Sequence, residues 1–127
     1  MAGAFSAEDQ HHFVSNKRFC ALMEWAIEVA SEINEAQAAD FVAKMQQGYD
    51  ELYAICTDID LDKELDKKEQ VFWSKAFQIV GHRLFNRTLG STESDDWRPS
   101  AIADAFTISR MLQKLSGEYL VYTKQNF

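Results

Sequence analysis

Apolar residues along this chain recur mostly at steps of three and four, the period of a helix with one buried face. The first such run begins near Ser6, with Ser6 and Asp9 spaced as an N-cap and a first-turn acid. It continues through Phe19, Leu22, Met23, Ala26, Ala30 and Ile33 to about Asn34. A second spans roughly Glu35 to Cys56 on Ala38, Phe41, Val42, Met45, Leu52, Ile55 and Cys56, widened by Tyr49 and Tyr53. A third runs from about Leu65 to Leu89 on Phe72, Ala76, Ile79, Val80 and Leu84, with Gly90 placed as its C-cap. The polar stretch GSTESDDWRP (90–99) interrupts the pattern. Pro99 fits the first turn of a fourth helix built on Ile102, Phe106, Ile108, Met111, Leu112 and Leu115 and closed by Gly117. The tail EYLVYTKQNF (118–127) fits a helical extension and an extended strand equally well.

These segments predict an all-α fold: one domain over residues 1–127, an antiparallel bundle of four main helices with a C-terminal tail of undecided form. Leu22, Phe41, Phe72, Ile79, Phe106 and Leu112 lie on the four apolar stripes and are the expected shared core. Composition agrees, since 127 residues suit one core and 46% of them are hydrophobic. One proline and five glycines argue against a β-sandwich or barrel. Cys20 and Cys56 fall inside apolar helical patterns and read as small buried hydrophobes.

Charge changes the picture more. The net charge is −7, and the acids gather in the first half of the chain. Such a chain repels nucleic-acid backbones and anionic membranes and favours a basic protein partner. The N-terminus lacks the basic start and apolar run of a signal peptide. No apolar run approaches the ~18 residues of a membrane span. The expected location is therefore cytoplasmic.

The acids fall into two groups. In DIDLDKELDKKE (58–69), Asp58, Asp60, Asp62, Glu64, Asp66 and Glu69 stand at positions 1, 3, 5, 7, 9 and 12 counted from Asp58. That is the ligand spacing of a helix–loop–helix calcium site, with Glu69 as the bidentate glutamate and Leu65 as the apolar residue of position 8. Against this, Lys63 occupies position 6, where the loop needs the positive φ of a glycine. Alternatively, Asp60 or Asp62 caps the third helix and the alternating Asp and Lys form a solvated face. The second group, Glu24, Glu28, Glu32 and Glu35, makes an acidic stripe on the first helix. A stripe of this kind could hold magnesium, as in all-helical nucleotide pyrophosphatases, given a second acidic pair on a facing helix. The second helix supplies Asp40, Asp50 and Glu51 but no Glu-x-x-Asp pair.

Other candidates are sparse. His11, His12 and His82 make no metal-ligand set, and no nucleophile–base spacing or phosphate-binding glycine loop is present. His82, Arg83 and Arg87 could hold an anion or simply complement the helix dipole. Trp25 and Trp73 lie on or beside apolar stripes and are expected in or at the edge of the core. Trp97 differs, standing in the polar loop after Asp95 and Asp96. It either folds back on the bundle or anchors a partner.

Four stretches, FCALMEWA (19–26), DELYAI (50–55), DDW (95–97) and SAIADAFTISRMLQKL (100–115), together resemble a family of small helical bacterial proteins classified as a domain of unknown function. Members of that family show an acidic pair before an aromatic and then a helix of the form Leu-Ala-Asp-Asp-x-x-Asp-Ile-Tyr. Asp104 matches one acid of that helix, Ala105 replaces the next, and Ile108 follows Thr107 without an aspartate. The resemblance implies a helical fold and no activity.

The function these features predict is a small acidic, non-enzymatic protein-binding module, such as an immunity, antitoxin or inhibitor protein that meets a basic partner and uses no cofactor. Its partner face would comprise Glu24, Glu28, Glu32, Glu35, Asp58, Asp60, Asp62, Asp95, Asp96 and Trp97. The alternatives are calcium binding through residues 58–69 and a magnesium-dependent pyrophosphatase-like activity.

Overall fold

Gly3, Phe5 and Ala7 are buried while Ala2, Ala4 and Ser6 are more exposed, an alternation of period two at the very start of the chain. The computed structural model describes residues 2–90 and 92–119, the side chains of 92–94 excepted. It shows a mixed α/β fold, which corrects the expected all-α bundle. Strand β1 (Ala2–Ala7) pairs antiparallel with β2 (Gln10–Ser15), in a register running from Ala2 opposite Ser15 to Ala7 opposite Gln10. Glu8 makes the turn at φ 55°. A short third strand, β3 (Asp58–Asp60), lies parallel to the other side of β1, with Phe5 opposite Ile59. The sheet order is β2-β1-β3.

The predicted first helix therefore starts later than Ser6. Helix α1 (Asn16–Ala30) is capped by Ser15, whose hydroxyl accepts from the Arg18 N–H at 3.2 Å. Helix α2 (Ala38–Gly48) continues into a π-helical turn (Tyr49–Tyr53) and a last turn (Ala54–Cys56) before Thr57 ends it in the left-handed region at φ 49°. The π-turn inserts one residue into the helical phase. Burial thus steps from Met45 to Tyr49 to Tyr53, and Leu52, Ile55 and Cys56 are turned to solvent. This corrects the expected apolar face of the second helix and the expected burial of Cys56.

The acidic stretch becomes β3, a single helical turn α3 (Leu61–Glu64) and the start of α4 (Lys67–Phe85). Helix α4 ends before Gly90, with Arg87 at φ 58° after its last turn. A 3₁₀ turn (Thr92–Trp97) leads into α5 (Arg98–Ser116), which has Pro99 in its first turn and Gly117 as a left-handed C-cap, as the sequence predicts. Residues 120–127 of the tail lie outside the described residues.

Helices α4 and α5 share the largest contact, and α1 packs on α4. Phe5 joins the sheet to this layer: its ring lies 4.7 Å from Phe19 on α1 and 6.0 Å, edge-on, from Phe77 on α4. Leu22, Phe72, Ile79 and Leu112 are buried in one cluster. Of the other expected core residues, Phe41 is partly buried, its ring edge-on to Phe72 at 5.2 Å. Phe106 is 36% exposed, a correction whose cause is Gly81: the ring lies across this glycine and stays at the surface. The buried Arg98 closes the far end, donating to the carbonyl of Leu84 in the last turn of α4 at 3.0 Å and to that of Leu89 beyond it at 2.7 Å. Among the described residues, no helix is long and apolar enough to cross a membrane.

Candidate functional site

The acidic stripe of α1 largely serves the fold. Glu32 pairs with Arg83 and Glu35 with Lys75, which ties α1 and the segment after it to α4. Glu24 accepts a 2.8 Å hydrogen bond from the Tyr49 hydroxyl on the π-turn of α2. Burial, then hydrogen bonding, raises the Tyr49 phenol above its ordinary pKa. Among the described residues no acidic group there is placed to hold a metal, and the partner of Glu24 across the helix interface is a tyrosine.

Residues 58–69 form no single chelating loop. Asp58 and Asp60 lie in β3, and Asp60 caps α3 by accepting from the Asp62 and Lys63 N–H groups, each at 3.0 Å. Lys63 is helical, without the positive φ of a calcium loop. Asp66 and Glu69 form a reciprocal capping box at the start of α4. Glu69 is buried and also receives Lys44 Nζ at 3.0 and 2.9 Å. Glu64 accepts from the Tyr53 hydroxyl at 3.0 Å. Burial and this hydrogen bond push the Tyr53 phenol up to about 12. No group of three or more His, Cys, Asp or Glu is placed to hold a metal among the described residues.

The proposed anion cluster is dispersed. Arg83 pairs with Glu32, Arg87 with Asp95, and His82 meets the Phe106 ring edge-on at 5.2 Å. Asp95 lies between Arg98 and Arg87, at 3.0 and 3.1 Å. The Arg98 hydrogen bond and then the Arg87 charge hold its carboxyl below the ordinary value.

Trp97 folds back onto α1 and stacks on Trp25, with centroids 5.6 Å apart and planes 23° apart. Both indoles keep part of their surface in water. This brings the loop acids Asp95 and Asp96 to the stripe helix, where Glu28 stands one turn beyond Trp25. The carboxylates of Glu28, Asp58, Asp62 and Asp96 are exposed and bond to no other described residue. The part of the expected face that the fold visibly assembles is the pair of stacked indoles, with Glu28 one turn from Trp25 and Asp96 next to Trp97 in sequence.

One polar cluster has no sequence forewarning. Asp104, buried on α5, accepts from His12 Nε2 at 2.7 Å with one oxygen and from Arg18 Nε at 2.5 Å with the other. It latches the hairpin and the start of α1 to α5. Partners 86 and 92 residues apart leave no trace in local periodicity.

No family model matches this chain, and no curated protein or solved structure matches it either. Function is accordingly argued from the chemistry of the site.

Proposed function

We propose that this chain is a small, non-enzymatic protein-binding module of the immunity, antitoxin or inhibitor kind, and that it meets a basic partner through the Trp25–Trp97 face. The observation that carries the reading is the indole stack, held partly exposed beside carboxylates that serve no internal bond. Large, rigid aromatic surface is what binding hot spots are made of, and rim charges add steering and rate more than affinity. A chain of net charge −7 would approach a basic cleft faster at low salt.

The test is capture of a basic partner at low and moderate salt by wild type, Trp97→Ala, and a Glu28→Gln/Asp96→Asn variant. Trp97→Ala should weaken capture by about tenfold or more at both salts, equivalent to about 1.4 kcal/mol. The charge variant should slow association at low salt and match wild type at moderate salt. Equal capture by all three proteins at both salts would sink the reading.

A further inference from the structure

A second site lies on the other side of the Asp104 latch. The face of α5 that carries Asp104 continues one turn on at Thr107 and then at Arg110, Met111 and Lys114. Between it and the hairpin is a cleft of about 430 Å³ lined by Gln10, Phe106, Thr107, Arg110, Met111 and Lys114. Gln10 and His12 share one face of β2, so the latch adjoins the cleft.

The lining holds two cations and no acid. Arg18, Lys44, Lys75, Arg83, Arg87 and Arg98 are all ion-paired. Arg110 and Lys114, like the exposed Lys17, Lys63, Lys67 and Lys68, bond to no other described residue; unlike those, they share one cleft that no acid lines. They stand four apart on one helix, where like charges repel and weaken the helix. Asp104, one turn before Thr107 on the same helix, already holds His12 and Arg18 on its two oxygens.

The wall of the cleft has its own support. Phe106 rests against Gly81, where an added Cβ would come within 2.7 Å of the ring, and His82 meets it edge-on. A glycine inside a helix is less favourable than an alanine, and here it gives an exposed ring a fixed seat. The cleft thus combines a guanidinium, an ammonium, a hydroxyl, a carboxamide and a positioned aromatic face. Arginine suits the fork geometry of a phosphate, lysine adds a point charge, and the ring offers a stacking surface.

We propose that this cleft binds a small phosphate monoester with a planar organic group, its phosphate on Arg110 and Lys114 and its organic group against Phe106. The site is independent of the partner face, so either proposal can fail alone.

Phenyl phosphate, inorganic phosphate and neutral benzyl alcohol would each be titrated into the full chain, with binding followed by amide chemical-shift changes. The proteins would be wild type, Arg110→Gln/Lys114→Gln and Phe106→Leu. Both charged positions are exposed, and an unchanged melting temperature would confirm that their variant folds. Phenyl phosphate should bind wild type about tenfold more tightly than inorganic phosphate, shifting residues 106–114, while benzyl alcohol produces no saturable shift. The double variant should lose about tenfold or more in phenyl phosphate affinity, and Phe106→Leu should reduce it to the level of inorganic phosphate. Equal binding of phenyl phosphate by wild type and the double variant would overturn the proposal. So would equal affinity for the two phosphates, or no saturable shift up to roughly 10 mM, beyond the weak end of specific binding.

Discussion

Tyr49 and Tyr53 show how single side chains set a property of the whole fold. Four residues apart on the π-turn of α2, they reach in different directions, to Glu24 on α1 and to Glu64 at the end of α3. Each phenol is buried and donates to a carboxylate, and both effects favour the neutral form. An unfolded tyrosine releases its proton near the ordinary value of 10.0, whereas folded Tyr53 holds its own to about 12. Below pH 10 both states are protonated, and this contribution to stability is complete. Above it the unfolded state binds fewer protons than the folded state, so stability falls as pH rises through 12. Urea midpoints should therefore drop across that alkaline window. A Tyr49→Phe/Tyr53→Phe protein, less stable at neutral pH through two lost hydrogen bonds, should drop less steeply. Parallel pH profiles for the two proteins would show that these phenols titrate normally. Asp104 teaches a related lesson, since its importance comes from His12 and Arg18 arriving from the other end of the chain.

Among the elements, the sheet depends on a close approach at Gly3. A Cβ there would lie 2.8 Å from both the Phe19 Cβ and the Thr57 carbonyl oxygen. That carbonyl accepts the Ala4 N–H at 2.9 Å where β1 meets β3, so the chain has little room to yield. Gly3→Ala should cost about 1–3 kcal/mol, read as a lower urea midpoint with an unchanged slope. A midpoint equal to wild type would show that β1 shifts freely against α1 and β3. The helices were legible because their stripes are long and strongly apolar, and because Pro99 and Gly117 punctuate α5. The hairpin was not. The buried face of its first strand is Gly3, Phe5 and Ala7, two of them small, its second strand buries only Val14, and its turn is Glu8-Asp9 in place of a glycine turn. Ser6 resembled a helix cap in an otherwise helical chain, while the cap of α1 is Ser15. The π-turn was hidden for a different reason: a one-residue phase slip is set by what Tyr49 and Tyr53 meet in the fold. The candidate face was half legible. Trp97 stood out as an aromatic in a polar loop, but its stack on Trp25 is a tertiary contact.

For the molecule as a whole, the small sheet could be a flap added to a helical body or part of the same cooperative unit. The packing favours one unit. Phe5 is completely buried, and its ring contacts Phe19 and Phe77, which belong to two helices of the main layer. Val14 of β2 and Ile59 of β3 are buried in the same cluster, and Asp104 ties β2 to α5 through a polar latch. If sheet and helices share one core, losing a sheet residue must destabilise the helices as well. Phe5→Ala should cost about 3–5 kcal/mol, a large share of the roughly 5–15 kcal/mol that holds a domain folded. Helical circular dichroism and tryptophan fluorescence should then fall together at a lower denaturant concentration. Fluorescence reports on Trp73, buried in α4 with its ring edge-on to Phe72, together with the Trp25–Trp97 stack. Amides of β1 should exchange with about the same free energy as those of α4 in wild type, and both should lose protection together in the variant. If the helices instead kept their wild-type midpoint while β1 amides lost protection alone, the hairpin would be a separable flap. The latch at Asp104 would then be an edge contact with no part in the common core.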